Sequence, residues 1–269
     1  MKTERIQILL TNDDGIESPG LWAAAEALSR LGYVTVAAPR DQYSGAGRSH
    51  PLQADGTIRP RSLQIGSQIW TAYAIGGSPA QTVMLALLDL LPRKPDLVVS
   101  GINYGENVGS GITVSGTLGA AMEAASFGIP ALAVSLELPG GEYYSHSRTV
   151  NFACAAHFTA LFAEKMLTLP RLADVDLLKV EVPASATPET PWRAARLSRH
   201  RYFNPITRRK DGLESPVELD FTIELDQQQF EPDSDVYVLR FEKQVAVTPI
   251  SLDMTSRLAL GAFEQSLRG

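Results

Sequence analysis

The apolar residues of this chain form two kinds of pattern that follow one another along most of its length. Short continuous apolar runs predict strands that are buried on both faces of a parallel sheet. Stripes of apolar residues at helical spacing predict connecting helices, so the alternation predicts an α/β fold with a mostly parallel sheet sandwiched by helices. The predicted strands are residues 6–10, 33–38, 97–100, 131–136 and 177–182, and the predicted helices are residues 21–31, 79–91, 118–127 and 148–166.

Two parts of the chain depart from this alternation. Residues 51–75 alternate weakly and predict a hairpin inserted at one edge of the sheet. Beyond residue 183, prolines separate short runs, and the resulting C-terminal arm (residues 184–269) is too thin to hold a core by itself. We therefore expect an α/β core over residues 1–183 and an extended β arm used in oligomerisation, as in a homodimer. The predicted elements of the arm are strands at 217–225, 236–241 and 245–247 and a helix at 257–267.

Composition narrows the class of protein. With 269 residues, 44% of them hydrophobic and 20% charged, the chain can bury a large globular core. The formal net charge of −6 argues against a protein that coats nucleic acid. Cys154 is the single cysteine, and no apolar signal segment or membrane-length apolar run occurs, so we expect a cytoplasmic protein without a membrane partner. The basic residues of the arm predict a solvated face or, alternatively, contact with a phosphate: Arg196, Arg199, His200, Arg201, Arg208, Arg209 and Lys210.

The first predicted strand leads into a short acidic turn, residues 11–15, with the sequence TNDDG. Burying the carboxylates of Asp13 and Asp14 there costs roughly several kcal/mol unless a cation or hydrogen-bond donors compensate. Adjacent carboxylates repel each other, so the predicted partner is a hard divalent ion, and Gly15 allows the sharp turn that brings both side chains to it. The alternative is structural: Asp14 caps the next helix, and Asn12 and Asp13 form an Asx turn.

Polar residues that follow later strands are expected at the same rim, because ligands of open α/β sheets bind beyond the carboxyl ends of the strands. Ser44 lies in a loop after the second strand and Asn103 lies just past the third, and both offer neutral oxygens to a magnesium-like ion. Gly45 offers a backbone N–H group to an anion. The alternatives are a flexible glycine loop around Ser44 and an αL turn at Asn103.

A further polar segment, Ser115-Gly116-Thr117, opens a predicted helix. Hydroxyls and free N–H groups at a helix N-terminus form a seat for a phosphate or an oxyanion, although a plain N-cap serine has the same appearance in sequence. The G-x-G-x-x-G turn is absent after the first strand, which argues against a nicotinamide-dependent enzyme.

Taken together, these motifs resemble the SurE family (survival protein E), whose members are metal-dependent 5′/3′-nucleotidases. The resemblance begins with TNDDG and I-x-S-P-G-L at residues 11–21 and is strongest at DLVVSGIN, residues 96–103. It covers most of the chain, in the family's order. The remaining matches are Ser44-Gly45, Ser78-Pro79-Ala80, Gly105, Asn107, Gly109, Ser115-Gly116-Thr117, GAAME at residues 119–123 and V-T-P-x-x-x-D at residues 247–253.

The resemblance implies a Rossmann-like fold whose C-terminal arm mediates dimers and sometimes tetramers. It also implies one divalent metal ion per subunit, magnesium or manganese. The metal ligands that it implies are Asp13, Asp14, Ser44 and Asn103. We assign catalytic roles to Asp13, Asn103 and Ser115, and contacts with phosphate or substrate to Asn12, Gly45, Ser115, Gly116 and Thr117.

Three segments depart from the family's pattern. Residues 81–82 are Gln-Thr where an Asp-Cys pair is common, and residues 111–114 replace a run that often holds an acidic and an aromatic residue. Residues 47–51 lack the usual spacing of histidine and hydroxyl. These differences concern the wall of the pocket and put substrate preference, rather than the chemistry, in doubt.

The predicted reaction is hydrolysis of nucleoside 5′- and 3′-monophosphates by direct attack of water, with a phosphoenzyme at Asp13 as the alternative. A rival hypothesis is a phosphatase or exopolyphosphatase that prefers short polyphosphate or other phosphomonoesters. A rival of another class is a non-catalytic nucleotide-binding sensor on the same scaffold. The predicted partners are a small-molecule nucleotide and further copies of the chain, in a dimer or tetramer, with no nucleic-acid polymer.

Overall fold

The structure is a computed structural model, and it describes residues 5–65, 67–138 and 149–269. The strands are β1 (Gln7–Thr11), β2 (Tyr33–Pro39), β3 (Ile58–Ile65), β4 (Gln68–Ile75), β5 (Leu97–Tyr104), β6 (Ala131–Leu136), β7 (Leu177–Val182), β8 (Trp192–Ala194), β9 (Phe203–Arg209), β10 (Val217–Ile223) and β11 (Val245–Ile250). The α-helices are α1 (Pro19–Leu28), α2 (Pro79–Leu85), α3 (Gly116–Ser126), α4 (Ala153–Thr168) and α5 (Leu260–Arg268).

Most of the strands form one mixed sheet in the order β3-β4-β2-β1-β5-β6-β7-β11-β8. Neighbouring strands from β4 to β7 are parallel, whereas β3 is antiparallel to β4 and β11 is antiparallel to β7. The chain leads from β1 to β2 on one side of the sheet centre and from β5 to β6 on the other side. The connections after β1 and β5 therefore diverge and leave a crevice at the carboxyl ends of these two strands. The predicted α/β fold with a mostly parallel sheet is confirmed.

Helices cover both faces of this sheet, as the apolar stripes predict. On one face, α1 and α4 pack against the strands through a core that includes Leu21, Leu28 and Phe158. On the other face, α2 and α3 cover a second core that includes Leu9 and Val98. None of the described helices has the length and apolar character that crossing a membrane requires.

The C-terminal arm contributes to the main sheet over part of its length. β11 and β8 extend the sheet beyond β7, while β9 and β10 pair with each other as an antiparallel ribbon. A small apolar cluster, with Tyr202, Phe230 and Leu239 from the arm, packs around Val108 of the core. The division of the chain at residue 183 stays a prediction.

Residues 236–241, predicted to form a strand, are helical: Tyr237–Phe241 forms a π-helical turn. The prediction is wrong because a short apolar run is compatible with a buried strand and with a buried helical turn. The polar residues just before the run decide between them. Asp235 Oδ1 accepts a hydrogen bond from Val236 N (2.9 Å) and Ser234 Oγ accepts one from Tyr237 N (3.3 Å), as at a helix N-terminus.

β5 is longer than predicted and includes Asn103. Its pairing with β6 is interrupted after Ser100 and resumes at Asn103, which lies opposite Ser135. Gly101 makes this bulge possible, because its φ is +133° and a Cβ there would lie 2.3 Å from the carbonyl oxygen of Val134. The prediction that Asn103 lies just past its strand is therefore wrong, although the residue stays at the carboxyl end of the sheet.

The ends of several helices also differ from the predicted ones. α1 begins two residues earlier than predicted, because Pro19 occupies its first turn, where a fixed φ is favourable. The predicted helix over residues 79–91 is split into α2 and a π-helical turn at Ala86–Leu90. α4 begins at Ala153, and the predicted start of this helix at residue 148 lies outside the described residues.

Candidate active site

The carboxyl ends of the central strands open onto one cavity of about 420 Å³. The turn after β1, the loop after β2, the end of β5 and the N-cap residue of α3 all contribute to its wall. Six of the residues selected from the sequence line it together: Asp13, Asp14, Ser44, Gly45, Asn103 and Ser115. The other three, Asn12, Gly116 and Thr117, support Asp13 and the turn that carries it.

Asn12 holds the turn after β1 in place. Its Oδ1 accepts a hydrogen bond from Gly15 N (3.2 Å), and its Nδ2 donates to Gly15 O (3.0 Å). Asn12 is fully buried, and Gly15 has a φ of +97° that an L-residue would adopt only with strain. The amide of Asn12 thus shapes the turn that presents Asp13 and Asp14, and its contact with substrate stays a prediction.

Asp13 points at the N-terminus of α3. The hydroxyl of Thr117 donates to Asp13 Oδ1 (2.5 Å), and the backbone N–H groups of Gly116 and Thr117 also stabilise the carboxylate. Burial raises the pKa of Asp13 above its usual value, although these hydrogen bonds oppose the rise. Gly116 and Thr117 thus hold Asp13 in place, and their contact with phosphate stays a prediction.

Asp14 is buried beside Asp13, and its Oδ2 accepts a hydrogen bond from Tyr104 N (3.2 Å). Burial raises the pKa of Asp14 well above its usual value, and the negative charge of Asp13 raises it further. The side chain of Gln42 hydrogen-bonds Asp14 and also donates to Ser44 Oγ (3.0 Å). Gln42 therefore links the second aspartate to the loop that carries Ser44.

Asn103 and Ser115 each have part of their side chain fixed by backbone groups. Asn103 Nδ2 donates to the carbonyl oxygens of Tyr104 (3.2 Å) and Gly105 (2.7 Å), which turns the amide oxygen away from them. Ser115 is the N-cap of α3, and its Oγ accepts a hydrogen bond from Leu118 N (3.1 Å). The hydroxyl hydrogen of Ser115 is then available to donate to an anion in the cavity.

The loop that carries Ser44 docks against α3. A Cβ at Gly119 would lie 2.2 Å from the carbonyl oxygen of Gly47, so helix and loop touch backbone to backbone. Arg48 Nε lies 2.7 Å from Glu123 Oε2 on the same helix. The position of Ser44 relative to α3 is therefore set mainly by a close backbone contact, with an ion pair beside it.

The two buried carboxyl groups of Asp13 and Asp14 at this edge of the sheet make a bound cation favourable. Among the described residues, no lysine, arginine or histidine forms an ion pair with Asp13 or Asp14. The described residues also contain no cluster of three or more His, Cys, Asp or Glu side chains suited to a metal ion. An ion here would rest on two carboxylates and on the neutral oxygens of Ser44 and Asn103. This all-oxygen donor set suits a hard ion such as magnesium or manganese.

Protons and a divalent cation compete for Asp13 and Asp14, so we expect Mn²⁺ to bind more tightly as the pH rises. Both pKa values lie above 3.8 in the metal-free fold, so that fold loses stability as the pH rises from 3.8 through the raised values. Saturating Mn²⁺ offsets this loss. The increase in Tm on adding Mn²⁺, measured by differential scanning fluorimetry, should be larger at about pH 8 than at about pH 5.

The control for this pH dependence is the double variant Asp13→Asn/Asp14→Asn. It has no carboxylates to deprotonate at this position, so Mn²⁺ should leave its Tm unchanged at both pH values. A wild-type increase in Tm of the same size at both pH values would contradict the assignment of the two aspartates as ligands.

The arm supplies part of the cavity wall that the sequence did not single out as a site. Arg201, Phe203, Asp220 and Phe221 all line the cavity. The signal that could have indicated Arg201 and Phe203 is the mixture of basic and aromatic side chains in residues 199–203, whereas Asp220 and Phe221 have no such signal. Arg201 belongs to the basic cluster of the arm, for which a solvated face was the main prediction.

Comparisons with known proteins agree with this fold and identify a family. A family model described as Survival protein SurE matches residues 8–204. A 5'-nucleotidase SurE from Thermococcus kodakarensis is 41% identical over 254 residues, which cover 94% of this chain and 95% of the relative. Another, from Methanocaldococcus jannaschii, is 38% identical over 256 residues and covers 93% of both chains. The crystal structure of the SurE protein from Aquifex aeolicus has a TM-score of 0.74 and 29% identity, covering 97% of this chain and 99% of that chain.

Proposed function

The chain belongs to the survival protein SurE family, and on this premise we propose that it is a divalent-metal-dependent phosphatase that hydrolyses nucleoside 5′- and 3′-monophosphates to nucleoside and phosphate. The observation that carries the proposal is the pair of adjacent buried carboxylates, Asp13 and Asp14, on the wall of a cavity of about 420 Å³. A phosphomonoester can enter such a cavity, and the carboxylates need a cation that a phosphate group also attracts.

The residues that would hold the ion are Asp13, Asp14, Ser44 and Asn103. When bound, magnesium or manganese supplies positive charge to the phosphoryl oxygens and makes water more acidic. Thr117 and Gly116 orient Asp13 by hydrogen bonds, and Gln42 orients Asp14 relative to Ser44. The ligands are thus fixed before substrate arrives, which lowers the cost of reorganisation during the reaction.

We propose that Ser115 and Gly45 bind the phosphate group. The Ser115 hydroxyl accepts from Leu118 N and can donate its own hydrogen to a phosphoryl oxygen. Gly45 lines the same cavity and has a φ of +77° with open space around its Cα, so its backbone can approach a ligand closely.

Direct attack by water is the proposed route. Asp13 Oδ1 already accepts a hydrogen bond from Thr117, and an engaged carboxylate oxygen is a weaker nucleophile than a free one. Mass spectrometry of acid-quenched turnover mixtures should therefore reveal no phosphate attached to Asp13. A phosphorylated Asp13 in such mixtures would overturn this route while leaving the phosphatase activity itself in place.

A metal-by-substrate matrix tests the function. Phosphate release from AMP, 3′-AMP, p-nitrophenyl phosphate and short polyphosphate is measured with magnesium, manganese, cobalt or EDTA. We expect the highest kcat/KM on the two nucleotides and, in EDTA, a rate below about one hundredth of that with manganese. A higher kcat/KM on polyphosphate, or turnover that survives EDTA, would contradict the proposal.

We also propose a homo-oligomer in which the arm contacts another copy of the chain. α5 has no buried residue and exposes Leu260, Phe263 and Leu267, so its apolar side chains are available to a partner. Three statements stay predictions: that the oligomer is a dimer or a tetramer, that the native metal is magnesium or manganese, and that the protein is cytoplasmic.

A further inference from the structure

Lys179 lies in the middle of β7, behind the wall of the cavity, and its side chain is fully buried. Its Nζ lies 2.9 Å from the carbonyl oxygen of Asn107, 2.9 Å from Asp235 Oδ2 and 3.4 Å from Glu181 Oε1. The carbonyl oxygen accepts a hydrogen bond from the ammonium, and the two carboxylates place negative charge beside it. We call Lys179, Glu181 and Asp235 the Lys179 cluster.

The two carboxylates of the Lys179 cluster hold the backbone of the loop after β5. Glu181 Oε2 accepts a hydrogen bond from Asn107 N (2.9 Å), so Lys179 and Glu181 together engage both polar backbone atoms of Asn107. Asp235 Oδ2 accepts one from Gly109 N (3.0 Å). The loop between β5 and α3 is therefore fixed at two points by buried charged side chains.

The same cluster joins this loop to the C-terminal arm. Asp235 Oδ1 accepts a hydrogen bond from Ser198 N (3.0 Å). Close by, the Tyr202 hydroxyl donates to Glu106 Oε1 (3.0 Å). The arm and the loop thus share one set of buried polar contacts, and movement of either would disturb the other.

The ammonium is charged in this setting. Burial alone lowers the pKa of Lys179, but the charges of Asp235 and Glu181 raise it by more, so the pKa lies above its usual value. Burial raises the pKa of Glu181 to about 7, despite the opposing effect of Lys179. Lys179 is therefore a charged ammonium whose partners are fixed in position.

The loop held by the Lys179 cluster determines the orientation of Asn103. Asn103 Nδ2 donates to the carbonyl oxygens of Tyr104 and Gly105 at the start of the loop. Asn107 Nδ2 donates to Ser135 Oγ (3.0 Å), and Ser135 lies opposite Asn103 in the sheet. A shift of the loop would therefore turn the Asn103 amide and move its oxygen relative to the cavity.

We propose that Lys179 is a positioning residue of the active site, which holds the loop after β5 so that Asn103 presents its amide oxygen to the bound cation. The inference rests on the proposed function only where activity is measured. The measurement of Mn²⁺ binding does not depend on that function. Removing the ammonium leaves the Asp235 carboxylate buried without a counter-charge, removes the charge that favours ionised Glu181, and leaves the carbonyl oxygen of Asn107 without this donor. The loop must then move to let these groups reach water.

The test compares Lys179→Met with Lys243→Met in the full-length protein. Lys243 pairs with Glu137 (3.2 Å) outside the Lys179 cluster, and its side chain is 46% exposed. Lys179→Met should weaken Mn²⁺ binding, measured by titration calorimetry, and lower kcat/KM for AMP, each by about tenfold, as loss of outer support for a metal ligand does. Lys243→Met should change both by less than about twofold.

A second variant guards against a simple loss of folding. Lys179→Met/Glu181→Gln also removes the Glu181 carboxyl group and keeps an acceptor oxygen for Asn107 N. It should fold and show the same two losses at temperatures well below its Tm. A folded Lys179 variant with wild-type Mn²⁺ affinity overturns the proposal, and so does failure of both variants to fold, since Lys179 is then purely structural. If the wild-type protein binds Mn²⁺ but releases no phosphate, the proposed function fails and the Mn²⁺ titrations still decide the role of Lys179.

Discussion

Asp13→Asn is expected to lower kcat/KM for a nucleoside monophosphate by about 1,000-fold or more with Mn²⁺ present, which corresponds to about 4 kcal/mol of transition-state stabilisation. The substitution keeps the shape of the side chain and an oxygen for the Thr117 hydroxyl, which donates to Asp13 Oδ1 at 2.5 Å. It removes one of the two negative charges that would hold the ion, and an ion contributes several kcal/mol of charge stabilisation in phosphoryl transfer. Steady-state phosphate release measures the loss.

The same variant should not be less stable than the wild type in EDTA. Burial raises the pKa of Asp13, which means that the charged carboxylate is held at a cost when no cation is present. We therefore expect the Tm of Asp13→Asn in EDTA to equal or exceed that of the wild type, and its increase on adding Mn²⁺ to be smaller. Asp41→Asn is the control: its side chain is 67% exposed and pairs with Arg40, so kcat/KM should stay within about twofold. Retention of a tenth of the activity by Asp13→Asn would rule out its proposed role.

Asp13, Asn103 and Ser115 could be selected from the sequence because each one lies at or next to an end of a predicted element. Asp13 and Asn103 lie at the carboxyl ends of strands, and Ser115 precedes a helix. In a parallel sheet these ends meet at one edge, so order along the chain translates into proximity. Thr117 shows the limit of this reasoning: its hydroxyl donates to Asp13 Oδ1, and sequence cannot tell a hydroxyl that faces a ligand from one that faces a neighbouring carboxylate.

The Lys179 cluster illustrates what sequence patterns leave out. Lys179 and Glu181 alternate with apolar residues on a buried strand, a pattern that normally indicates a face exposed to water. Their partner Asp235 comes from the arm, far along the chain, and no local rule links the two segments. The π-helical turn at Tyr237–Phe241 was missed for a related reason: its start is set by the side chains of Ser234 and Asp235, not by the apolar run itself.

Gly119→Ala is expected to lower kcat/KM by about 100-fold, because a displacement of about 1 Å at a site of catalysis can have that effect. A Cβ at this position would lie 2.2 Å from the carbonyl oxygen of Gly47 and 2.7 Å from Arg48 N. These are backbone atoms, so the loop that carries Ser44 must move away from α3. Alanine favours a helix over glycine by about 1 kcal/mol, which acts in the opposite direction and does not relieve the clash.

Two matched variants separate the backbone contact from other effects of the substitution. Gly261→Ala adds the same methyl group to a helix where no other atom lies within 4 Å, so kcat/KM and Mn²⁺ affinity should stay at wild-type values. Arg48→Gln removes the ion pair with Glu123, but the Arg48 side chain is 39% exposed, so we expect a loss of at most about 1 kcal/mol, or less than about tenfold in kcat/KM. If Arg48→Gln proves as damaging as Gly119→Ala, the ion pair and not the glycine contact positions Ser44. If Gly119→Ala retains wild-type kcat/KM, the loop tolerates displacement and Ser44 is not required at its observed position.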